Sequence, residues 1–395
     1  MHVVVVGGGI VGLASAHALA ERGVDVTVCE QGAIGSGATE RSAGGIRTQF
    51  STAVNVRLSL ASIEVWEDFE AQFGVGIDYR RTGYLFLARE TDTADAFAED
   101  VAMQNDLSVP SELLSPAEAA EHCPGLHADR FEAATYCPLD GFADPHLALQ
   151  GFARAAREAG VDIRTHTPVT EIHHQRGGRE SDGDDPREGA PVAGVTAGGS
   201  RIEADGVVNA AGPWARRVNE MAGVDLPVAP RRRQIAVVEP STALPEDVPL
   251  TIDLDTGSYF RPEREGTALV GGHFADDDPD ADPDTYDEGM DLSWAATAVE
   301  RAGACADYFG PETRIRRGWA GLYAVTPDHH AIVDEIRPGF VTAVGFSGHG
   351  FQHAPATGQL VADLVCDGDP SLVEASALAA DRFERGAARD ERNVA

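Results

Sequence analysis

The sequence predicts an α/β fold, with a parallel sheet at the start of the chain and a mixed sheet of alternating strands further on. Residues 3–6 are four valines, which is typical of a strand buried on both faces. A glycine cluster follows, then apolar residues at helical spacing through Ala20, and a second apolar run over 24–29. Later runs that alternate as sheet strands do lie at 231–240, 257–265 and 266–274. Together these observations indicate a βαβ unit followed by a second, mixed-sheet domain.

The glycine cluster after the first strand is typical of a dinucleotide-binding turn. Gly7, Gly9 and Gly12 have the GxGxxG spacing, in the required order of strand, turn, helix and strand. Gly7 permits the tight turn, Gly9 lets the backbone approach a pyrophosphate, and Gly12 lets the helix pack against the strand. Glu30 ends the second strand, where it can accept hydrogen bonds from ribose hydroxyls and would repel a 2′-phosphate. The unit predicts a dinucleotide site that disfavours NADP, and it leaves FAD and NAD open.

The charge of the chain limits the classes of partner. The 395 residues carry a net charge of −33, and all 31 basic residues are arginine. In molar salt the Debye length falls to about 3 Å, so like charges on the surface repel one another little. We interpret this acidity as an adaptation to a halophilic cytosol, the alternative being a basic partner. The sequence has no basic stripe to meet phosphates, which argues against nucleic-acid binding.

The cysteines and the apolar start predict a cytoplasmic protein. Five cysteines are scattered, none in a CxxC pair, which fits a reducing compartment and argues against zinc or a disulfide framework. No apolar window reaches the length of a membrane span. The first 20 residues lack the basic segment of a signal peptide, so we assign them to the fold. We therefore expect no metal and no membrane span.

After Glu30 the chain has a long run of small residues, where a simple nicotinamide enzyme would form a third strand. This run and three later segments together carry a resemblance to a known family. The three segments are GVVNAAGPWA at 206–215, WAGLYAVTPDHHAIV at 319–333 and GFSGHGFQHAPATGQLVADL at 345–364. The sequence resembles the FAD-dependent amino acid oxidoreductases of the D-amino acid oxidase, glycine oxidase and sarcosine oxidase type. It is most similar to the sarcosine oxidase β-subunit and dye-linked proline dehydrogenase β-subunit branch. The segments that resemble this branch are GGIRTQFS at 44–51 and GFSGHGFQHAP at 345–355. Hydrogen-cyanide-synthase subunits and a mitochondrial complex I assembly factor family share both segments.

The resemblance implies a Rossmann-like FAD-binding domain interleaved with a mixed-sheet α+β substrate domain. The FAD-binding domain would comprise 1–82, 145–222 and 322–395, and the substrate domain 83–144 and 223–321. The residues expected to hold FAD are Gly7, Gly9, Ile10, Val11, Gly12, Glu30, Gln31, Arg41, Ser42, Ala43, Gly44, Val169, Ala211, Gly212, Trp214, Gly348, His349, Gly350, Phe351 and Gln352.

The same resemblance suggests the residues of a catalytic site. Arg47, in GGIRTQFS, would anchor a substrate carboxylate through a bidentate pair. Tyr259 and His273 would come from the roof strands, which are the strands of the substrate-domain sheet that cover the flavin ring. His273 would be the acceptor of the amine proton. Tyr323 would lie over the flavin ring, and Gln352 stands where monomeric sarcosine oxidases carry a lysine anchor.

Three of these assignments have rivals. Phe260 could take the place of the roof tyrosine, and a plain buried histidine is the alternative for His273. Arg231, Arg232 and Arg233 form a rival anion site, although such a run is usually partly solvated.

Departures from the family pattern bear on the chemistry. Gly321 and Arg41 stand where relatives carry a cysteine or a histidine bonded to the flavin, which predicts non-covalent FAD. Leu269 stands where the oxidases use a lysine to promote reaction with oxygen. We therefore expect a dehydrogenase that passes electrons to a dye, a quinone or a partner subunit, with a hetero- or homo-oligomer possible.

The glycine-rich stretch at 345–360 admits two other interpretations. It lacks the second glycine of a GxSxG nucleophile elbow, and His349 and His353 alone are too few for a metal site. We interpret it as a glycine turn and a helix whose N-terminus faces the flavin.

Two polar segments, 176–200 and 275–288, are expected to be an exposed hairpin tip and a solvated acidic loop. A calcium site is the alternative for the second segment.

The predicted function is oxidation of the C–N bond of an amino acid or secondary amine, such as sarcosine, glycine or proline, by hydride transfer to flavin N5. Three alternatives stay open on sequence alone. They are a flavin-binding assembly or scaffold factor with little turnover, a true oxygen-using oxidase, and a nicotinamide dehydrogenase.

Overall fold

A computed structural model describes residues 1–175, 190–275 and 277–394. Most of the predicted hairpin tip, 176–189, lies outside the described residues. The strands, numbered in chain order, are His2–Val6 (β1), Asp25–Cys29 (β2), Gly45–Ile46 (β3), Tyr84–Ala88 (β4), Glu112–Leu114 (β5), Ala133–Cys137 (β6), Gly141–Phe142 (β7), Asp162–Arg164 (β8), Val169–His174 (β9), Val192–Ala197 (β10), Ser200–Glu203 (β11), Gly206–Asn209 (β12), Ala229–Glu239 (β13), Leu250–Asp253 (β14), Ser258–Pro262 (β15), Ala268–Gly272 (β16), Arg314–Val325 (β17), Ile332–Arg337 (β18) and Phe340–Val344 (β19).

The helices are numbered in the same way. They are Ile10–Glu21 (α1), Ala53–Glu67 (α2), Phe69–Phe73 (α3), Thr91–Asp106 (α4), Pro116–His122 (α5), Pro145–Glu158 (α6), Ala215–Met221 (α7), Leu292–Cys305 (α8), Gly350–Asp367 (α9) and Ala375–Leu378 (α10). Short 3₁₀ helices lie at Ala128–Arg130, Gly212–Trp214, Arg264–Gly266 and Ala380–Arg382.

A six-stranded sheet forms the first structural layer, in the order β18-β19-β12-β1-β2-β8. Its neighbouring strands run parallel, except that β18 is antiparallel to β19. Val3 and Val5 of β1 pack into the core formed with α1 and α9, and Val4 and Val6 face the small sheet of β9, β10 and β11. The four-valine strand is therefore buried on both faces, as predicted.

An eight-stranded sheet forms the second layer, in the order β17-β13-β16-β15-β14-β4-β6-β5. Its pairs are antiparallel, apart from β14 with β4. Leu85 and Leu87 join the core beneath α8, whereas Tyr84 and Phe86 lie on the opposite face. This alternation leaves one face of the sheet to form the roof of a cavity.

The sheets divide the chain almost as the expected domains do. The strands of the six-stranded sheet fall within 1–82, 145–222 and 322–395, and those of the eight-stranded sheet within 83–144 and 223–321 except at one end. The exception is β17, which continues past 321 to Val325 and so runs across the expected boundary. The domain boundaries themselves stay a prediction.

The helical segment that follows β3 is divided in two. The backbone leaves helical geometry at Asp68, between α2 and α3. Trp66 stacks on Phe69, and Phe69 and Phe73 both pack on Phe152 of α6. The break therefore falls inside an aromatic cluster that holds both helices against α6.

A buried ion pair fixes the segment that follows β17. Arg382, 2% exposed, donates from Nε and Nη2 to the two Asp328 carboxylate oxygens at 2.8 and 2.9 Å. Arg382 Nη2 also donates to the His330 carbonyl at 2.9 Å. Because a buried charge without its partner is strongly destabilising, this pair links the later chain to the core.

Asp328→Asn should lower the free energy of unfolding by about 3 kcal/mol, because it leaves the Arg382 guanidinium buried without a counter-charge. Urea denaturation at fixed salt measures the change. Asp381→Asn, in the exposed Arg385 pair, is the matched control and should change stability by less than about 0.5 kcal/mol.

The difference between wild type and Asp328→Asn should also depend on pH. Burial alone raises the pKa of Asp328, but the hydrogen bonds and charge of Arg382 outweigh it and bring the pKa below its usual range. The stabilisation is therefore present above the unfolded-state value of about 3.9 and is lost as the pH falls through the lower folded-state pKa. A difference that stays constant between about pH 6 and pH 3 would contradict this account.

Candidate active site

A cavity of about 400 Å³ lies between the six-stranded sheet and the roof face of the eight-stranded sheet. It begins at the carboxyl ends of β1, β2 and β12, where ligands bind in open α/β sheets. It continues past 41–47 to the turn at 345–350, and the roof strands close its far end.

The glycine turn after β1 is shaped by close backbone approaches. Gly7 has φ +110°, and a Cβ there would lie 2.5 Å from the Ala210 carbonyl oxygen. A Cβ on Gly12 would lie 2.0 Å from the Gly7 carbonyl oxygen. Gly9, Ile10 and Val11 line the cavity at the start of α1, so the positive end of the helix dipole faces it.

The Glu30 carboxylate is held rigidly at the end of β2. Its Oε2 accepts from the Gly8 backbone N–H and its Oε1 from the Gly32 backbone N–H, both at 2.7 Å. Each oxygen keeps a lone pair for a further donor, so Glu30 can still accept from ribose hydroxyls.

Most of the residues expected to hold FAD line this one cavity. They are Gly7, Gly9, Ile10, Val11, Glu30, Gln31, Arg41, Ser42, Ala43, Val169, Ala211, Gly212, Trp214, Gly348, His349, Gly350, Phe351 and Gln352. Gly12 and Gly44 lie behind it instead. Gly44 has φ +74°, and a Cβ there would lie 2.0 Å from the Ala143 carbonyl oxygen. These two glycines therefore allow the close backbone approaches around the cavity but do not line it.

The roof of the cavity carries Tyr84, Tyr259 and Tyr323, and burial raises the pKa of each phenol. All three hydroxyls therefore stay protonated and can donate. The Tyr259 ring lies over Gly271 and the Tyr323 ring over Gly348, where a Cβ would come within 2.2 and 2.4 Å of them.

Sequence reasoning missed Tyr84. The alternation in GYLFLA, which places Tyr84 on the face opposite Leu85, is the signal that could have found it. Ile252 lines the same roof and was also missed.

The roof geometry decides between two sequence alternatives. Phe260 packs on Tyr308 and Phe309 in the core beneath α8, away from the cavity, so it does not take the place of Tyr259.

The structure does not bring His273 to the cavity. Its side chain is 30% exposed, and its Nε2 lies 3.8 Å from an oxygen of Asp278. The chain turns away at Gly272, which has φ +145° and leaves no room for a Cβ. His273 therefore lies outside the cavity that Tyr259 and Tyr323 line, and this geometry does not support its predicted role as acceptor of the amine proton.

Arg47 is 6% exposed and lines the cavity beside His349 and Gln352. Its Nη1 donates to the Gln49 carbonyl at 2.7 Å, and its Nη2 contacts the Asn393 carbonyl and, at 3.2 Å, His349 Nε2. Its own backbone N–H donates to Gln352 Oε1 at 2.7 Å. Burial lowers the pKa of the guanidinium, but an arginine stays charged in proteins.

These contacts fix the protonation of His349 and limit what Arg47 can bind. Arginine has no acceptor, so His349 Nε2 must accept and the neutral ring carries its hydrogen on Nδ1. Burial, and then the Arg47 charge, hold the pKa of His349 well below its usual value. Both Nη2 hydrogens of Arg47 are used. The expected fork of two paired Nη donors is not free, and Nε and one Nη1 hydrogen remain for a ligand.

The acidic loop is exposed along most of its described length, as expected, and several of its carboxylates also pair with arginines. Arg233 donates from Nη1 and Nη2 to the two Asp278 oxygens, both at 2.8 Å. The neighbouring pairs are Arg231–Asp280, Arg232–Asp291, Arg217–Asp282 and Arg41–Glu288. Carboxylates of the loop, together with Asp291 just after it, therefore pair with the arginine run that was a rival anion site. Asp284 of the loop also accepts from Trp214 Nε1 at 2.7 Å.

Among residues 1–175, 190–275 and 277–394, no group of three or more His, Cys, Asp or Glu is placed to hold a metal ion. In the same part of the chain, no helix is both long enough and apolar enough to cross a membrane.

Comparisons with known proteins agree with the site. A family profile described as "FAD dependent oxidoreductase" matches residues 2–364. FAD-dependent oxidoreductase domain-containing protein 1 of Xenopus laevis is 31% identical over 427 residues, spanning 99% of this chain and 84% of that protein. Glycine oxidase of Geobacillus kaustophilus is 29% identical over 92% of each chain. The crystal structure of L-proline dehydrogenase from P. horikoshii has a TM-score of 0.85 at 33% identity, over 98% of each chain.

The chain therefore belongs to the FAD-dependent oxidoreductase family and is an enzyme that uses FAD. Its residues fit that cofactor. The cavity is elongated between two glycine turns, at Gly7 and Gly348, and at each turn a Cβ would collide with its neighbours. Glu30 lies at the first turn and the start of α9 at the second.

Gly12→Ala should weaken FAD binding at least tenfold, because the new Cβ forces α1 away from Gly7 and disturbs the turn. The ratio of flavin to protein in the purified enzyme measures the loss.

Gly206→Ala is the matched control, because a Cβ there meets its neighbours at ordinary contact distances of 3.5 Å. Equal flavin content in the two variants would contradict the role given to Gly12.

Proposed function

We propose that this enzyme oxidises the C–N bond of a small amino acid or secondary amine, such as sarcosine, glycine or proline. The observation that carries the proposal is the closed end of the cavity, where Arg47 and three protonated tyrosines adjoin the glycine turn at 348–350. A cation suits a carboxylate, and the buried phenols suit a small polar substrate away from water. The names of two relatives, glycine oxidase and L-proline dehydrogenase, describe enzymes for such substrates and support the proposal.

Bound FAD would supply the two-electron acceptor, taking a hydride at its N5 atom. The chain's own part is to bind and orient the substrate. The start of α9, at Gly350, turns the positive end of that helix toward the cavity, which favours negative charge there. Nε and Nη1 of Arg47 offer single hydrogen bonds to a carboxylate, and the roof side chains exclude water.

The most direct experiment is an anaerobic panel of sarcosine, glycine and L-proline, in which bleaching of the bound FAD is followed. We expect at least one of them to reduce the flavin. If a chemical reductant bleaches the FAD but no amino acid or amine does, the proposal fails and a binding or scaffold role gains weight.

Arg47→Met should raise KM for a carboxylate substrate by about 10- to 100-fold, because the lost charged hydrogen bonds contribute about 1.5–3 kcal/mol. Arg216→Met, in an exposed pair with Glu220, is the matched control and should leave KM unchanged. An unchanged KM in Arg47→Met with full flavin content would remove Arg47 from the substrate site.

The substrate amine should lose its proton before it binds. The described titratable side chains at the closed end of the cavity are Arg47, Tyr84, Arg233, Tyr259, Tyr323 and His349. The tyrosines are protonated, the arginines are charged, and His349 Nε2 already accepts from Arg47. None of these groups is therefore a free base.

The pH profile of kcat/KM tests this inference. Its rising limb should follow the ammonium pKa of the substrate and should move to lower pH for a fluorinated analogue with a more acidic ammonium group. A limb that stays at the same pH for both substrates would show that a protein base takes the proton.

We propose that the enzyme works as a dehydrogenase that passes electrons to a dye, a quinone or a partner subunit. The sequence has no lysine, and Leu269, where the oxidases carry theirs, is buried. Stopped-flow oxidation of the reduced enzyme should be faster with a dye or quinone than with air-level oxygen. The opposite order would identify an oxidase.

Three further proposals concern the state of the protein. We propose that FAD is held without a covalent bond, so acid denaturation should release the flavin into the supernatant.

We also propose a cytoplasmic location at high salt, because the charge of −33 has to be screened. A melting temperature that does not rise with potassium chloride would argue against the high-salt setting.

A further inference from the structure

We propose that residues 389–394, the strap, are a positioning element that holds Arg47 in place for the substrate carboxylate. The inference rests on the proposed function, because it takes Arg47 as the group that meets the carboxylate. It assigns a role to a segment that follows the last element of the fold and that lines no part of the cavity.

The strap reaches Arg47 from the side away from the cavity. The Asn393 carbonyl oxygen accepts from Arg47 Nη2, and Asn393 is 5% exposed. Arg47 lines the cavity, whereas none of the described strap residues does. The strap thus supports the guanidinium from behind, leaving its free hydrogens toward the cavity.

Glu391 anchors the strap to the start of α2. Its carboxylate is buried and accepts from the Ser51 N–H, the Ser51 hydroxyl and the Thr52 hydroxyl, each at 2.7 Å. Asn55 Nδ2 donates to the same carboxylate at 3.1 Å. These partners follow Arg47 in the chain by only a few residues, so Glu391 also fixes the backbone that carries Arg47.

A second anchor ties the strap to α4, beside the eight-stranded sheet. Asp100 is 4% exposed and accepts from Arg392 Nη2 at 2.8 Å and from Asn393 Nδ2 at 3.2 Å. Asn393 therefore has its side chain on α4 and its carbonyl on Arg47. Asn393 of the strap therefore links α4, beside the eight-stranded sheet, to Arg47, the residue proposed to bind substrate.

This arrangement predicts a specific kinetic signature. An arginine that is not fixed must lose more side-chain freedom when it binds a ligand, so its affinity for a carboxylate falls. The strap contacts described above reach neither the glycine turn at Gly7 nor Glu30, which is held by Gly8 and Gly32. Damage to the strap should therefore weaken carboxylate binding while FAD content and kcat are kept.

The test compares Glu391→Gln with the matched control Glu384→Gln, an exposed position. The first change keeps the shape of the side chain and removes the charge that gathers four donors from residues 51–55 and the Asn393 N–H of the strap itself. The dissociation constant of acetate, read from the change in the FAD spectrum, should rise roughly tenfold or more in Glu391→Gln and stay unchanged in the control. KM for a carboxylate substrate should rise in parallel, with kcat within about twofold.

A chain ending at Asp390 provides a second variant, and a synthetic peptide of residues 391–394, the strap residues that this chain lacks, should restore its acetate affinity. An amine without a carboxylate should bind all variants equally, which a general loss of structure would not allow. Acetate affinity and KM unchanged in Glu391→Gln, with the melting temperature also unchanged, would overturn the inference. So would equal losses for acetate and for the carboxylate-free amine.

The acetate measurement needs no turnover. If the substrate panel leaves the FAD oxidised, the proposed function fails, and acetate binding still decides whether the strap positions Arg47. If acetate affinity is the same in wild type and Arg47→Met, the strap has no carboxylate site to serve and the inference fails.

Discussion

A buried arginine constrains the whole active end of this molecule. Arg47 is charged and almost fully enclosed, so its N–H groups need partners from the protein or from a ligand. The Gln49 carbonyl, the Asn393 carbonyl and His349 Nε2 supply three of them, and Phe50 lies 4.0 Å beneath the guanidinium. Each partner comes from a different part of the chain. The fold must bring 47–50, 349 and 393 together before the cavity can be closed.

The two sheets make that convergence possible. The six-stranded sheet brings the glycine turns at Gly7 and Gly348 to one side of the cavity, through the ends of β1 and β19. The eight-stranded sheet offers one face of alternating side chains, so Tyr84 and Tyr259 point into the cavity while their neighbours join the core beneath α8. The acidic loop then pairs with Arg233 and its neighbours, whereas no carboxylate of the described residues lies within salt-bridge distance of Arg47.

Local signals in the sequence predicted the glycine turn and Glu30 but missed the long-range contacts around Arg47. The glycine turn and Glu30 follow spacing rules that act within 30 residues, and the structure has them as expected. Glu391 meets Ser51 across 340 positions, and no periodicity or motif marks such a contact in advance. His273 was misplaced because strand alternation gives no warning that Gly272 turns the chain away. The ion pairs of the acidic loop were missed because their arginines, such as Arg217 and Arg233, are distant in sequence.

We propose that Arg47, held from behind by the strap, receives the carboxylate of a small amino acid or amine substrate. The decisive measurement is a crystal structure of the FAD-bound enzyme with acetate. We expect acetate to accept hydrogen bonds from Nε or Nη1 of Arg47 while the bond from Nη2 to Asn393 is kept. Acetate bound at Arg233 with Asp278 displaced, or bound at Arg47 only after Asn393 has left, would contradict it.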